Sequence, residues 1–166
     1  MLFRSDAMVG TYLKMFSLRP LEEVLATAEE HAQAPERRVG QRQLADEITT
    51  LAHGERAARE ASAAADVLFG ADPTQASAEV LAVVQREVPS STVAASALAD
   101  PIGLLVSCGL ASSNGDARRT LTQKGYRANG VPLDENGTLS GTPLLHGRYI
   151  LLRKGKTSYH LVEVSA

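Results

Sequence analysis

The first hundred residues place apolar side chains at helical spacing almost throughout. Val9, Tyr12, Leu13 and Phe16 fall at i, i+3, i+4 and i+7, the stripe of one buried helix face, and Asp6 stands where it can cap that helix. Pro20 suits the first turn of a second helix, with Glu22 and Glu23 near its positive end and a stripe of Val24, Leu25, Ala28 and Ala32. Ala34-Pro35-Glu36 breaks the pattern. Between residues 39 and 69, Leu44, Ile48, Leu51, Ala58, Ala61, Ala65 and Leu68 hold a period that predicts a single long helix, stopped by Gly70 and Pro73. A short fourth helix carries Val80, Leu81 and Val84 before Pro89. A small helical bundle over residues 1–88 is expected.

Residues 89–100 (PSSTVAASALAD) are small and polar with no clear period, and read as a linker. Beyond Pro101 the pattern changes. Ile102, Leu105, Val106 and Leu110 predict a short helix, and Ser113 or Asn114 caps a second one running through Ala117, Leu121 and Gln123 to Gly125. Asn129-Gly130 is the dipeptide of a tight hairpin turn, whose central residues need positive φ. Residues 149–152 and 158–164 are strand-like, joined by Arg153-Lys154-Gly155-Lys156-Thr157. The predicted fold class is α+β: a helical bundle, then a helix-helix-antiparallel-sheet module over residues 101–166. A module of that size buries only about 60% of its unfolded surface and is marginal by itself.

Composition narrows the classes. With 44% hydrophobic and 22% charged residues, the chain has material for a core and is neither disordered, collagenous nor a disulfide scaffold. No apolar run approaches the roughly 18 residues of a spanning helix, and the first residues show no secretory signal, so no membrane partner is expected. The lone Cys108 cannot form an internal disulfide, which fits a reduced cytoplasmic setting. The net charge of −2 hides an asymmetry. Residues 1–100 have nine Lys and Arg against fifteen Asp and Glu, whereas residues 101–166 have eight against four. The basic half is suited to a polyanion.

Most candidate chemistry fails on spacing. Gly155-Lys156-Thr157 resembles the end of a phosphate-binding loop, but Ile150 stands where that loop needs its first glycine, and a strand rather than a helix follows. His53, His146, His160 and Cys108 lack metal-ligand spacing, so no metal site is expected. No catalytic arrangement can be singled out. The cations differ: seven of the eight in residues 101–166, Arg118, Arg119, Lys124, Arg127, Arg153, Lys154 and Lys156, fall in two short clusters on a helix edge and a hairpin. Such groups can bridge successive phosphates of RNA.

These residues carry a resemblance. The segment 110–119 (LASSNGDARR), followed by Lys124-Gly125 and Asn129-Gly130, resembles the S-four-like RNA-binding domain, whose usual pattern is S-x-S-E-A-R-R and then a strand ending in N-G. The tail 144–156 (LLHGRYILLRKGK) is similar to the end of bacterial tyrosyl-tRNA synthetase, and 44–55 (LADEITTLAHGE) resembles the long helix of its anticodon-binding domain. Family members commonly have lysines where Ser112 and Asn114 stand, a serine at Gly115 and an aliphatic residue at Thr120, so a reduced number of phosphate contacts is implied.

The resemblance implies tyrosine tRNA as the partner, held at its anticodon and long variable arm. It also implies that Asp6 contacts the first anticodon base, although capping is role enough from the residues alone. The family's catalytic domain, with its HIGH and KMSKS motifs, is expected to precede residue 1. Lys14-Met15-Phe16-Ser17-Leu18 looks only faintly like the latter motif. The chain alone is therefore expected to be inactive and to bind no cofactor, ATP and tyrosine belonging to the catalytic domain. It is also expected to be monomeric, since the family dimerises through that domain. Two alternatives remain open: a free-standing RNA-binding protein derived from the synthetase, and a protein-interaction module using the helical bundle.

Overall fold

The computed structural model describes residues 8–134, 136–137 and 139–165. The chain forms two compact units, the first ending at Ser62 and the second beginning at Ala63.

In the first unit, α1 (Val9–Phe16), α2 (Leu21–Gln33) and α3 (Val39–His53) are followed by the start of α4 (Glu55–Leu68). Its core is small: Val9, Leu13 and Val24, with Ala28 and Leu44 packed against them. A Cβ on Gly40 would fall 2.6 Å from Val9 Cγ1, so α3 can approach α1 this closely only at a residue with no side chain. That narrow seam admits Val9 and Leu13 but not the whole predicted stripe. Tyr12 and Phe16 stay 41% and 52% exposed, their rings 6.3 Å apart. The expected single helix from 39 to 69 is in fact two. Gly54 takes φ 84°, ψ 162°, its N–H still closing α3 onto the Thr50 carbonyl while its own carbonyl accepts from Ala58. The backbone changes direction between these two hydrogen bonds, a turn that glycine adopts at little steric cost.

The second unit is built on a five-stranded sheet. α4 ends in it, followed by α5 (Ala78–Glu87), β1 (Ser90–Ala94), α6 (Pro101–Ser107), α7 (Asn114–Thr122), β2 (Tyr126–Ala128), β3 (Val131–Pro132), β4 (Tyr149–Lys154) and β5 (Ser158–Ser165). The strand order is β1-β5-β4-β2-β3. One face carries Tyr126, Ile150, Leu152 and Val162 against Leu104, Leu105, Ala117 and Leu121 of α6 and α7. The other carries Leu151, Tyr159 and Leu161 against Ala64, Val67, Leu81 and Val84 of α4 and α5. Successive strand residues alternate between these two layers.

Three expectations need correction here. The stretch 89–100 is not a linker: residues 90–94 form β1, residues 95–99 a 3-10 turn, and Leu98 is buried in the core. The sheet is not wholly antiparallel, because β1 runs parallel to β5, with Thr92 opposite Glu163. The fourth predicted helix belongs with the sheet rather than with the first helices, since Val80, Leu81 and Val84 are buried against it. Apolar strand residues that face a helix layer supply the driving force in each case; β1 itself contributes only Val93 to that packing.

The Asn129-Gly130 turn forms as expected. Ala128 pairs with Val131, and the two turn residues take φ 48° and 83°. Asn129 does more than turn the chain. Its Nδ2 donates to the Pro143 carbonyl at 2.7 Å, and its Oδ1 accepts from the buried Leu151 N–H at 2.9 Å.

Candidate nucleic-acid interface

Helix α7 begins at Ser113, whose Oγ accepts from the Asp116 N–H at 3.2 Å. Asp116 in turn reaches back. Its Oδ2 accepts from the Ser112 N–H at 3.2 Å and from Lys154 Nζ at 3.1 Å, and its Oδ1 accepts from Arg119 Nη2 at 3.0 Å. One carboxylate thereby positions a cation of the helix beside a cation of β4. The Ser112 N–H, then the Lys154 ammonium, pull its carboxyl from the ordinary 3.8 to about 2. Lys154 is raised by the same pairing, and its Nζ lies 5.8 Å from the Tyr126 ring centroid.

The pH consequence follows from the sign of the shift. Folding favours the ionised Asp116, so this contribution is fully present above the unfolded carboxyl's pKa and is lost as pH falls through about 2. Carbon-13 NMR should find the Asp116 carboxyl titrating near 2. Lys154→Met should move that midpoint upward; an unmoved midpoint would mean the ammonium is not holding it.

The remaining cations of this edge are set by two backbone turns. Lys124 follows α7 in the left-handed region at φ 52°, its N–H bonded to the Leu121 carbonyl at 2.7 Å. The Gly155 N–H donates to the Gly125 carbonyl at 2.9 Å, so the turn bearing Lys156 is tied to the one bearing Lys124. Arg118, Arg119, Lys124 and Lys156 are exposed. Together with Lys154 they border one edge of the α7 side of the sheet.

Arg127 and Arg153 do not join them. They are cross-strand partners on β2 and β4 and leave the opposite face, that of Leu151 and Tyr159. The sequence gives Arg153 and Lys154 as one cluster; strand alternation sends them to opposite sides. Asp6 lies outside the described residues. The sequence reading missed Asp116 and Tyr159. Asp116 stands three residues after the capping serine, a recognisable helix-start spacing, whereas nothing marks Tyr159 until the strand register is known. His160 and Cys108 do meet, but as a structural contact: Ser91 Oγ lies 2.9 Å from His160 Nε2 and 3.7 Å from Cys108 Sγ. Burial pushes the thiol's pKa up and the imidazole's down, keeping both neutral. Among the described residues, no helix is long and apolar enough to cross a membrane.

Residues 79–162 match the family model of the tyrosine–tRNA ligase SYY-like C-terminal domain. The chain belongs to this family. The SYY-like C-terminal domain match contains β1, α6, α7 and all seven candidate cations. Tyrosine–tRNA ligases of Anaeromyxobacter dehalogenans and Kineococcus radiotolerans are 40% and 42% identical over 163 residues, 96% of this chain but only 39% and 38% of theirs. The chain thus spans about two fifths of the length of these curated relatives. It is also similar to the solution structure of a tyrosyl-tRNA synthetase C-terminal domain, at 27% identity and a TM-score of 0.43, covering 58% of this chain and 98% of that one.

Proposed function

We propose that this chain is the tRNA-holding region of a tyrosine–tRNA ligase, binding tyrosine tRNA through backbone phosphates while a catalytic domain performs aminoacylation. The observation that carries the reading is the edge where Arg119 and Lys154 meet on a single carboxylate, Asp116, with Arg118 on the same helix and Lys124 and Lys156 on two turns tied by the Gly155–Gly125 hydrogen bond. Family membership and similarity to about two fifths of the length of tyrosine–tRNA ligases support it. On this reading the chain works in the cytoplasm, holds neither ATP nor tyrosine, and is monomeric by itself. Asp6 reads the first anticodon base, where a carboxylate can accept from both donors on the Watson–Crick edge of guanine.

The test is the salt dependence of binding to tyrosine tRNA. If about four phosphates are neutralised, log K should fall with log salt at a slope of roughly −3. A flat dependence would remove the phosphate reading. In the first unit, Met15, Phe16, Leu18 and Leu21 are more than half exposed. That apolar surface favours a second reading for this unit alone, as a packing surface for another protein domain. Binding that is insensitive to both RNase and salt would favour it.

A further inference from the structure

The two arginines on the far face of the sheet form an arrangement of their own. Arg127 and Arg153 are directly opposed across the β2–β4 ladder, and like charges in that position destabilise a sheet. Among the described residues, no carboxylate pairs with either. Their partners are neutral instead. Arg127 Nη1 donates to the Gly130 carbonyl at 2.8 Å. Arg153 Nε donates to the Gly155 carbonyl at 2.8 Å and its Nη1 to the Tyr159 hydroxyl at 3.2 Å, with Cζ 5.7 Å from that ring's centroid. These bonds aim the two guanidinium groups without neutralising them, and most of their five N–H donors each are left for a ligand. Because the Tyr159 oxygen accepts from Arg153, its own proton is available to donate.

Between the arginines lies a cavity of about 60 Å³, lined also by Tyr159 and by Gly70, Pro73 and Gly130. That space exceeds what a single water needs and can admit a small tetrahedral oxyanion between the two guanidinium groups. Two opposed, uncompensated cations around a space of this size violate a local rule of sheet pairing, and such violations mark functional sites. A bound anion would remove the conflict.

We propose that Arg127, Arg153 and Tyr159 form a second phosphate site, on the sheet face opposite α7, and that it takes one phosphate group of the bound RNA. The RNA half of this statement rests on the tRNA-binding reading; the site itself does not. The backbone of the RNA then passes around the end of the sheet, touching Arg118, Arg119 and Lys154 on one side and this pair on the other. A flat interface confined to the α7 edge would leave Arg127 and Arg153 idle.

The experiment has two arms on the full chain. In the first, inorganic phosphate is titrated against sodium chloride at matched ionic strength, following the Nε–H signals of Arg127 and Arg153 and the Gly130 amide by NMR. Saturable shifts specific to phosphate are expected, kept in Arg118→Ala/Arg119→Ala and lost in Arg127→Gln/Arg153→Gln. Shifts no larger than those with chloride overturn the site. In the second arm, Arg127→Gln/Arg153→Gln should weaken tyrosine tRNA several-fold and reduce the salt slope by about 0.7 to 0.9. Phosphate shifts with unchanged tRNA binding would overturn the RNA assignment and leave a site for free phosphate. If wild-type chain binds no tRNA, the proposed function fails, and the first arm still decides the site. Should the double variant fold poorly by circular dichroism, Arg127→Gln alone serves, since Arg127 is exposed and its loss leaves the Arg153–Tyr159 contact in place.

Discussion

An Asn129→Ala variant is expected to lose about 3 kcal/mol of stability in the second unit, the largest effect of any single substitution considered for it. Three costs act together. The Leu151 N–H, buried between β2 and β4, loses its acceptor, and the Pro143 carbonyl loses its donor. A buried group left without a partner costs about 1–3 kcal/mol. Alanine must also take φ 48°, where asparagine is tolerated and a plain Cβ costs about 1–2 kcal/mol. Against a domain stability of about 5–15 kcal/mol the loss is large, and for a unit near 100 residues it corresponds to a drop in Tm of roughly 10–20 °C. Asn129→Gly separates the terms, since it restores the backbone freedom but neither hydrogen bond. Urea melts of the two variants should differ by the φ cost alone. Equal stability of wild type and Asn129→Ala would show that neither bond carries weight.

Replacing Arg118 and Arg119 together by alanine should weaken tRNA binding roughly ten- to thirtyfold near 0.1 M salt, and should reduce the salt slope by about 1.5 to 2. Phosphate contacts carry no base information, so unrelated structured RNAs should lose affinity by a similar factor. Both side chains are exposed on α7, and among the described residues only Arg119 of the two has an ion pair, to Asp116. Surface pairs of that kind add little to folding, so the thermal melt should hardly move. Filter binding across a salt series, on two RNAs of different sequence, checks it. An unchanged slope, or loss confined to one RNA, would show that the helix does not meet a phosphate backbone.

What the sequence made legible was local chemistry. Asn129-Gly130 announced its turn because positive φ at two successive residues is a demand few dipeptides meet. Ser113 announced the start of α7, and Val80, Leu81 and Val84 a buried face, although not the layer they would cover. What stayed hidden depended on partners far along the chain. β1 is Ser-Ser-Thr-Val-Ala, and its strand character comes from β5, which lies about seventy residues later. Gly54 sits between two helices whose apolar spacing continues across it, so period alone joined them. The division of the cations was within reach: Arg153 and Lys154 are neighbours on a strand and had to face opposite ways. Which face met α7 required the fold.

The place of β5 in the sheet has a consequence for the order of events during synthesis. Of the five strands described it is the last made, yet it lies between β1 and β4. At about 5–20 residues per second, residue 94 precedes residue 165 off the ribosome by roughly 4–14 s, and throughout that interval β1 lacks β5, the strand it pairs with. A nascent strand with open N–H and C=O groups invites pairing with other chains. Its composition limits that hazard: two serines, a threonine and an alanine leave Val93 as the one sizeable apolar side chain on a strand of five residues. The same blandness that conceals β1 in the sequence keeps it weakly adhesive while it waits.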